Sequence, residues 1–420
     1  MNTATEKRVS NVSPLFLGVL GFLVYYGLFS SFDRARNLGG GDTVQILGTM
    51  WKLAVFSATM WRVGDAARLS RKYFLSLGGA FALGGSALLL AIEIVSPTGI
   101  LSSIQMYLRF LVEGIEAVGE AFICAGLVAH VREETLGNDW RYFNVTTALR
   151  VGQNTGMVLA LLCCRFWTTF TPGYAILLLG MRIGVAVLLI RMIQTDVIRN
   201  YPARFTEKEK SKVTWSRLLF DVIVGASSYA LFYLVAMGPS VILEGDYPRR
   251  KAFMLNGAFA MVAMVAIFLL ARTGKKNMPA KFALLKIEII AAAGGVLVIA
   301  GWMISFWYST PGRTFFLLAT AGLLGLFTTS TYVLSELSSG LYGKPKNQSA
   351  QIVSYFGLAR LGPIIALLTI LLTEVAKARL PKWGVVAILE VSVALGCAGI
   401  VLGVVQKWKI DQKGGNRGYT

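Results

Sequence analysis

Four charged residues recur through RFLVEGIEAVGE (109–120): Arg109, Glu113, Glu116 and Glu120, at spacings i, i+4, i+7 and i+11. On an α-helix these positions share one face. The sequence on either side is apolar enough to belong in a bilayer, where a single mid-depth charge costs roughly 3 kcal/mol on insertion scales. Such a face must therefore look into a cavity lined by partners. Burial strengthens a carboxyl's hold on its proton and a neighbouring arginine weakens it. A glutamate that trades its arginine for a proton would act as a proton or cation relay. The alternative is a static lock, in which ion pairs hold neighbouring helices together. Three acids on one face exceed what one lock needs, and Glu116, nearest mid-span, is the first candidate for the titrating group.

The elements that must position these charges are membrane helices. The chain has 420 residues, 55% hydrophobic and 15% charged, with a mean hydropathy of +0.61. A soluble domain carries about 25% charged residues. Twelve apolar runs are long enough to span, near 12–31, 43–62, 74–95, 102–130, 143–166, 173–193, 216–238, 252–271, 282–307, 314–336, 351–374 and 383–406. In lipid, backbone groups must be satisfied within the segment, so the runs are read as helices. No cleavable signal peptide is expected, because the first run is too long and lacks a small-residue cleavage site. The net charge of +19 does not point to nucleic acid, since the basic residues form no aromatic-interleaved platform. Lys and Arg instead concentrate in the loops on the N-terminal side of the membrane, which puts both termini in the cytoplasm.

The chain reads as two halves. The long polar loop IRNYPARFTEKEKSKVTWSR (198–217) separates six runs from six. Arg62-Val-Gly64 matches Arg272-Thr-Gly274, and Arg150-Val-Gly152 matches Arg360-Leu-Gly362, both at an offset of 210. The expected domains are a six-helix bundle over 1–197, a cytoplasmic linker over 198–217 and a second bundle over 218–420. Parallel repeats of this kind are an architecture of secondary transporters.

Within the first half, Arg109 can neutralise Glu113, while Lys52, Arg150 and Arg182 are available to Glu116 and Glu120. Lys52, Arg150 and Arg360 also suit an anionic or zwitterionic solute. Lys52, near mid-depth, is the better placed to touch it. Arg150 and Arg360 sit roughly 10–14 Å in from the cytoplasmic ends, at 1.5 Å per residue. That depth suits a gate, with Arg360 in reach of Asp65 across the halves, although solute contact stays open for Arg360. Tyr25, Tyr26, Tyr229, Tyr233 and Tyr332, with Asp221 and Ser228, offer a lining for a polar organic solute, although most such aromatics only pack. Glu93, Glu288, Lys286 and Glu390 are assigned no function. The four cysteines have no metal spacing and are read as packing residues. Neither a cofactor nor a metal is expected.

The loop WRVGDAARLSRK (61–72) resembles the motif that the major facilitator superfamily carries between its second and third helices, with Asp65 as the acid and Arg68, Arg71 and Lys72 as the basic cluster. Trp61 stands where that family has a glycine, and the spacing to the basic pair is longer by two. RFLVEG resembles the family's Arg-x-x-x-Gly element with one residue inserted, and LGP (361–363) its Gly-Pro turn, in the other half. WRYFNVTTALRVGQNTG (140–156) also resembles proton-coupled peptide carriers, whose acidic signature in the first helix is absent here, and 314–366 resembles equilibrative nucleoside carriers. The resemblance implies an all-α membrane fold of twelve transmembrane helices in two bundles related by a pseudo-two-fold repeat, with helices 1, 4, 7 and 10 lining a central path and Arg182 in a structural place.

The function expected on this basis is a secondary active transporter in the plasma or inner membrane, moving a small polar organic solute by alternating access and coupled to protons by symport. The implied partners are that solute, protons and the lipid bilayer. The alternatives are an equilibrative nucleoside-type facilitator, or a receptor or lipid scramblase that keeps the fold. An enzyme is not indicated: there is one histidine, His130, and no nucleophile triad. No GxxxxGK[ST] string supports ATP-driven pumping.

Overall fold

The computed structural model describes residues 13–32, 41–63, 71–95, 102–135, 138–166, 172–194, 215–243, 247–274, 280–307, 312–341 and 345–415, and these are almost entirely helical. The helices are α1 (Pro14–Phe32), α2 (Gly41–Val63), α3 (Arg71–Val95), α4 (Ser102–Glu134), α5 (Asp139–Phe166), α6 (Pro172–Gln194), α7 (Trp215–Ile242), α8 (Arg249–Gly274), α9 (Ala280–Trp307), α10 (Arg313–Leu341), α11 (Pro345–Ala359), α12 (Leu361–Lys377) and α13 (Lys382–Gly415).

α11 and α12 follow one another across Arg360, which keeps helical dihedrals of φ −70° and ψ −12°. The interruption has a local cause. Pro363 has no N–H to give to the carbonyl of Ala359 four residues back, and its ring crowds that carbonyl.

Among the described residues, seven helical stretches are long and apolar enough to cross a membrane: α3, α7, α8, α9, α10, the α11–α12 rod and α13. α2, α4 and α5 are not among them, and these are the helices that carry Lys52, the three glutamates and Arg150. The exposed surface confirms the lipid setting. On α9, Ile290 and Leu297 are 69% and 75% exposed while Glu288 is 1% exposed. Apolar side chains face outward and charges face inward, the reverse of a soluble protein. The chain is an integral, multi-pass membrane protein.

α1 packs along α5 and touches α6; α3 lies between α4 and α6, and α2 runs against α4. α7 packs on α10, α12 and α13, while α8 and α9 pack on α10. Across the chain's midpoint, α5 meets α8 and α10, and the α11–α12 rod meets α2 and α4.

Two of these packings bring backbone closest to backbone. A Cβ on Gly152 of α5 would lie 1.9 Å from the Gly18 carbonyl oxygen of α1, and one on Gly362 of α12 would lie 1.9 Å from that of Ala226 of α7. Only glycine permits such an approach. These are the glycines of the matched Arg-x-Gly triplets, so Arg150 and Arg360 each stand two residues before an equivalent helix contact.

Candidate functional site

The acidic face of α4 turns inward as its spacing predicts: Glu113, Glu116 and Glu120 are all buried. Glu116 accepts a hydrogen bond from Ser86 Oγ of α3 at 2.7 Å, and Lys52 Nζ of α2 lies 3.6 Å from its other oxygen. Glu120 is held by Arg182 Nη2 of α6 at 2.8 Å, with Lys52 at 3.5 Å. Glu113 Oε2 lies against Gly48 of α2. The side chain of Arg109 lies outside the described residues. Lys52, read as a solute contact, is shared between two carboxylates, yet it also reaches the cavity described next.

That cavity, of about 720 Å³, runs between α1, α2, α4, α5 and α11; Tyr25, Lys52, Glu120, Arg150, Gln153 and Arg360 supply its polar wall. A second, of about 500 Å³, adjoins it through Tyr25, Arg150 and Gln153 and is closed by Asn154, Ser228, Tyr229, Thr328 and Tyr332. A concave, mostly apolar lining with a few convergent polar groups is the usual form of a small-molecule site. Of the five predicted lining tyrosines, Tyr25, Tyr229 and Tyr332 lie on these walls. Tyr26 and Tyr233 do not: Tyr26 packs on Phe22 and Tyr233 on Phe253, with ring centroids 5.8 and 5.9 Å apart.

The two arginines are treated differently. Arg150 forms an ion pair with Glu336 of α10, a residue from the opposite half of the sequence, and donates to Gln153 Oε1. Its guanidinium lies over the rings of Phe356 and Tyr332, 4.7 and 5.6 Å from their centroids. Arg360 donates to Tyr229 OH at 2.6 Å and to Tyr25 OH at 3.1 Å. It also stands over Phe56 and Tyr229, at 5.2 and 4.9 Å. Among the described residues no carboxylate pairs with it. Asp65, its predicted gating partner, lies outside the described residues.

Glu336 was not picked out by sequence because the predicted span stopped there. α10 continues to Leu341, and the carboxylate is 1% exposed. A second network was also missed. Lys407 of α13 meets Asp221 at 2.8 Å, Glu288 and Ser335 Oγ at 3.1 Å. Arg217 meets Asp411 at 3.0 Å and Asp221 at 3.8 Å and donates to Ser338 at 3.0 Å. Asp221, read as a lining residue, belongs to this network and to neither cavity, and Glu288 acquires a structural place.

Removing one partner of a buried ion pair costs about 3–5 kcal/mol. Lys407→Met is therefore expected to lower the unfolding midpoint in detergent clearly, and Lys407→Met with Glu288→Gln to recover part of it. An unchanged midpoint in the single variant would show that the network does not hold α7, α9 and α13 together.

No family model and no curated protein matches the chain. Solved structures do. A bacterial homologue of the iron transporter ferroportin, in its outward-facing state, is 14% identical over 95% of this chain and 99% of its own, with a TM-score of 0.69. A variant of the E. coli fucose:proton symporter FucP is 13% identical over 95% of this chain and 99% of its own, with a TM-score of 0.64. FucP in the outward conformation, a major facilitator superfamily transporter, gives 11%, 93%, 98% and 0.63. At these identities the likeness concerns the fold. Among the described residues no three His, Cys, Asp or Glu side chains gather as a metal ion would require.

Proposed function

We propose that this chain, which has the fold of the major facilitator superfamily transporters, is a secondary active transporter of a small anionic or zwitterionic organic solute. The observation that carries the reading is Arg360. A guanidinium buried without a carboxylate is costly, and this one, which pairs with none among the described residues, stands on a cavity wall, steadied by a tyrosine hydroxyl from each half of the chain. A solute's carboxylate or phosphate would serve as its counter-ion, and Arg offers it a planar fork of donors.

The architecture proposed is twelve transmembrane helices in two six-helix halves, 1–197 and 218–420, joined by the linker 198–217. The distribution of Lys and Arg supports cytoplasmic termini. Rocking of the halves would give alternating access. The Arg150–Glu336 pair, with Tyr142 closing on Gly340 nearer the same end, is suited to a gate.

Proton coupling is proposed for the α4 face. Glu120 is clamped by Arg182 at 2.8 Å, whereas Glu116 accepts from a Ser86 hydroxyl, a donor that serves a protonated acid equally well. Glu116 can therefore exchange a proton while Glu120 and Lys52 stay paired. The test is solute-dependent proton flux in proteoliposomes under an imposed pH gradient, screening amino acids, nucleosides, peptides and organic anions. Glu116→Gln is expected to abolish gradient-driven accumulation while exchange of the same solute persists. Accumulation equal to wild type would make the face a lock. Transport of neutral nucleosides without any gradient would favour an equilibrative facilitator instead.

A further inference from the structure

We infer that Glu336 sets the charge the carrier accepts, so that the transported solute bears one net-negative group and no second; this rests on the reading of Arg360 as the solute's counter-ion. Arg150 and Arg360 are equivalents at an offset of 210, each two residues before the glycine that meets a neighbouring helix backbone. Both line the larger cavity. Two equal cations on one wall would suit a dianion. Glu336 cancels one of them, and it does so from outside both cavities, leaving Arg150 on the wall but already neutralised.

The same offset explains why Arg360 is not treated alike. The position that corresponds to Glu336 is 126, and it is a glycine. Gly126 lies on the stretch of α4 whose Ile123, Cys124, Leu127 and Val128 line the larger cavity, though like Glu336 it is not itself on that wall. α4 also packs against α11, the helix that leads into Arg360. One half supplies its own carboxylate; the other has no side chain there and takes the carboxylate from the solute. A second negative charge on the solute would meet Glu120 on the wall of the larger cavity, and among the described lining residues no unpaired cation to receive it. The remainder of the solute would lie along Asn154, Ser228, Thr328 and Tyr229 of the smaller cavity, which offer hydroxyls and an amide but no charge.

The test uses the full chain in proteoliposomes and organic acids in pairs of one carbon skeleton: propionate with malonate, butyrate with succinate, valerate with glutarate, and their α-hydroxy and α-amino forms. Wild type is expected to take monoanions or zwitterions over the matched dianions. Glu336→Gln is expected to shift that ratio toward dianions by roughly ten-fold or more, the scale of one hydrogen bond to a charged group. Glu336→Asp should keep the wild-type preference, and Arg150→Gln with Glu336→Gln should restore it, which separates charge from packing. Gly126→Asp, which places an acid at the equivalent position, should suppress uptake of every anion. An unchanged ratio in Glu336→Gln, full anion uptake by Gly126→Asp, or a wild type that prefers dianions overturns the inference and leaves the transporter reading standing. If wild type takes none of the acids, the reading of Arg360 falls with it.

Discussion

Gly152→Ala and Gly362→Ala are each expected to prevent the chain from reaching its folded state. At both positions a methyl group would stand 1.9 Å from a carbonyl oxygen of the facing helix. Neither side can yield cheaply, because both are backbone. Core overpacking by flexible side chains costs about 1–3 kcal/mol; here two whole helices would have to part, α1 from α5 or α7 from α12. Arg150 and Arg360, two residues away, would lose their places on the cavity wall. Gly84→Ala and Gly180→Ala are the controls, since nothing lies within 4 Å of the added carbon at either site. In a helix that exchange is favourable by up to about 1 kcal/mol. Size-exclusion profiles and thermal midpoints in detergent are the readout. Monodisperse, wild-type-like Gly362→Ala protein would show that the helix contact is looser than described.

Arg360→Gln is expected to fold and yet to lose anion uptake by roughly a hundred-fold or more, since a buried pair broken on one side costs about 3–5 kcal/mol. Folding survives because removing this cation orphans no carboxylate among the described residues. Arg150→Gln is the contrast: it leaves Glu336 buried and uncompensated, and should destabilise the protein. Arg360→Lys should retain only part of the uptake, because one ammonium cannot hold Tyr25, Tyr229 and a solute carboxylate as a planar fork does. Tyr25→Phe and Tyr229→Phe should cost less, each removing one hydroxyl from the guanidinium. Uptake rates per folded molecule, in proteoliposomes, decide this. Undiminished anion uptake by folded Arg360→Gln would remove the arginine from the solute path.

Most of the helices were legible as apolar runs, and among the described residues seven stretches are long and apolar enough to cross a membrane. The face of α4 was legible because charges at helical spacing in such a run have few places to go. The 210-residue offset exposed the equivalence of Arg150 and Arg360, and the structure adds that their glycines make equivalent close contacts.

What stayed hidden sits at helix ends. Glu336 and Lys407 fall where hydropathy fades, so they read as the start of loop and tail. α10 and α13 continue past them and bury both. Hydropathy marks where lipid stops, not where the helix or the protein interior stops. The break at Arg360 had a signal in Pro363, three residues on, which in the sequence read only as part of a family resemblance. Which tyrosines line the cavity could not be told, because Tyr25 and Tyr26, or Tyr229 and Tyr233, differ only by helix rotation or by one turn.

The most direct test of the central claim, that a small anion crosses through the cavity at Arg360, is counterflow in proteoliposomes. Vesicles are loaded with one unlabelled organic acid, and entry of the labelled acid and of its neutral amide is followed side by side. The acid is expected to accumulate transiently in wild type and not in Arg360→Gln, while the amide stays at background in both. Entry of the amide at the rate of the acid, or equal counterflow of the acid through Arg360→Gln, would contradict it.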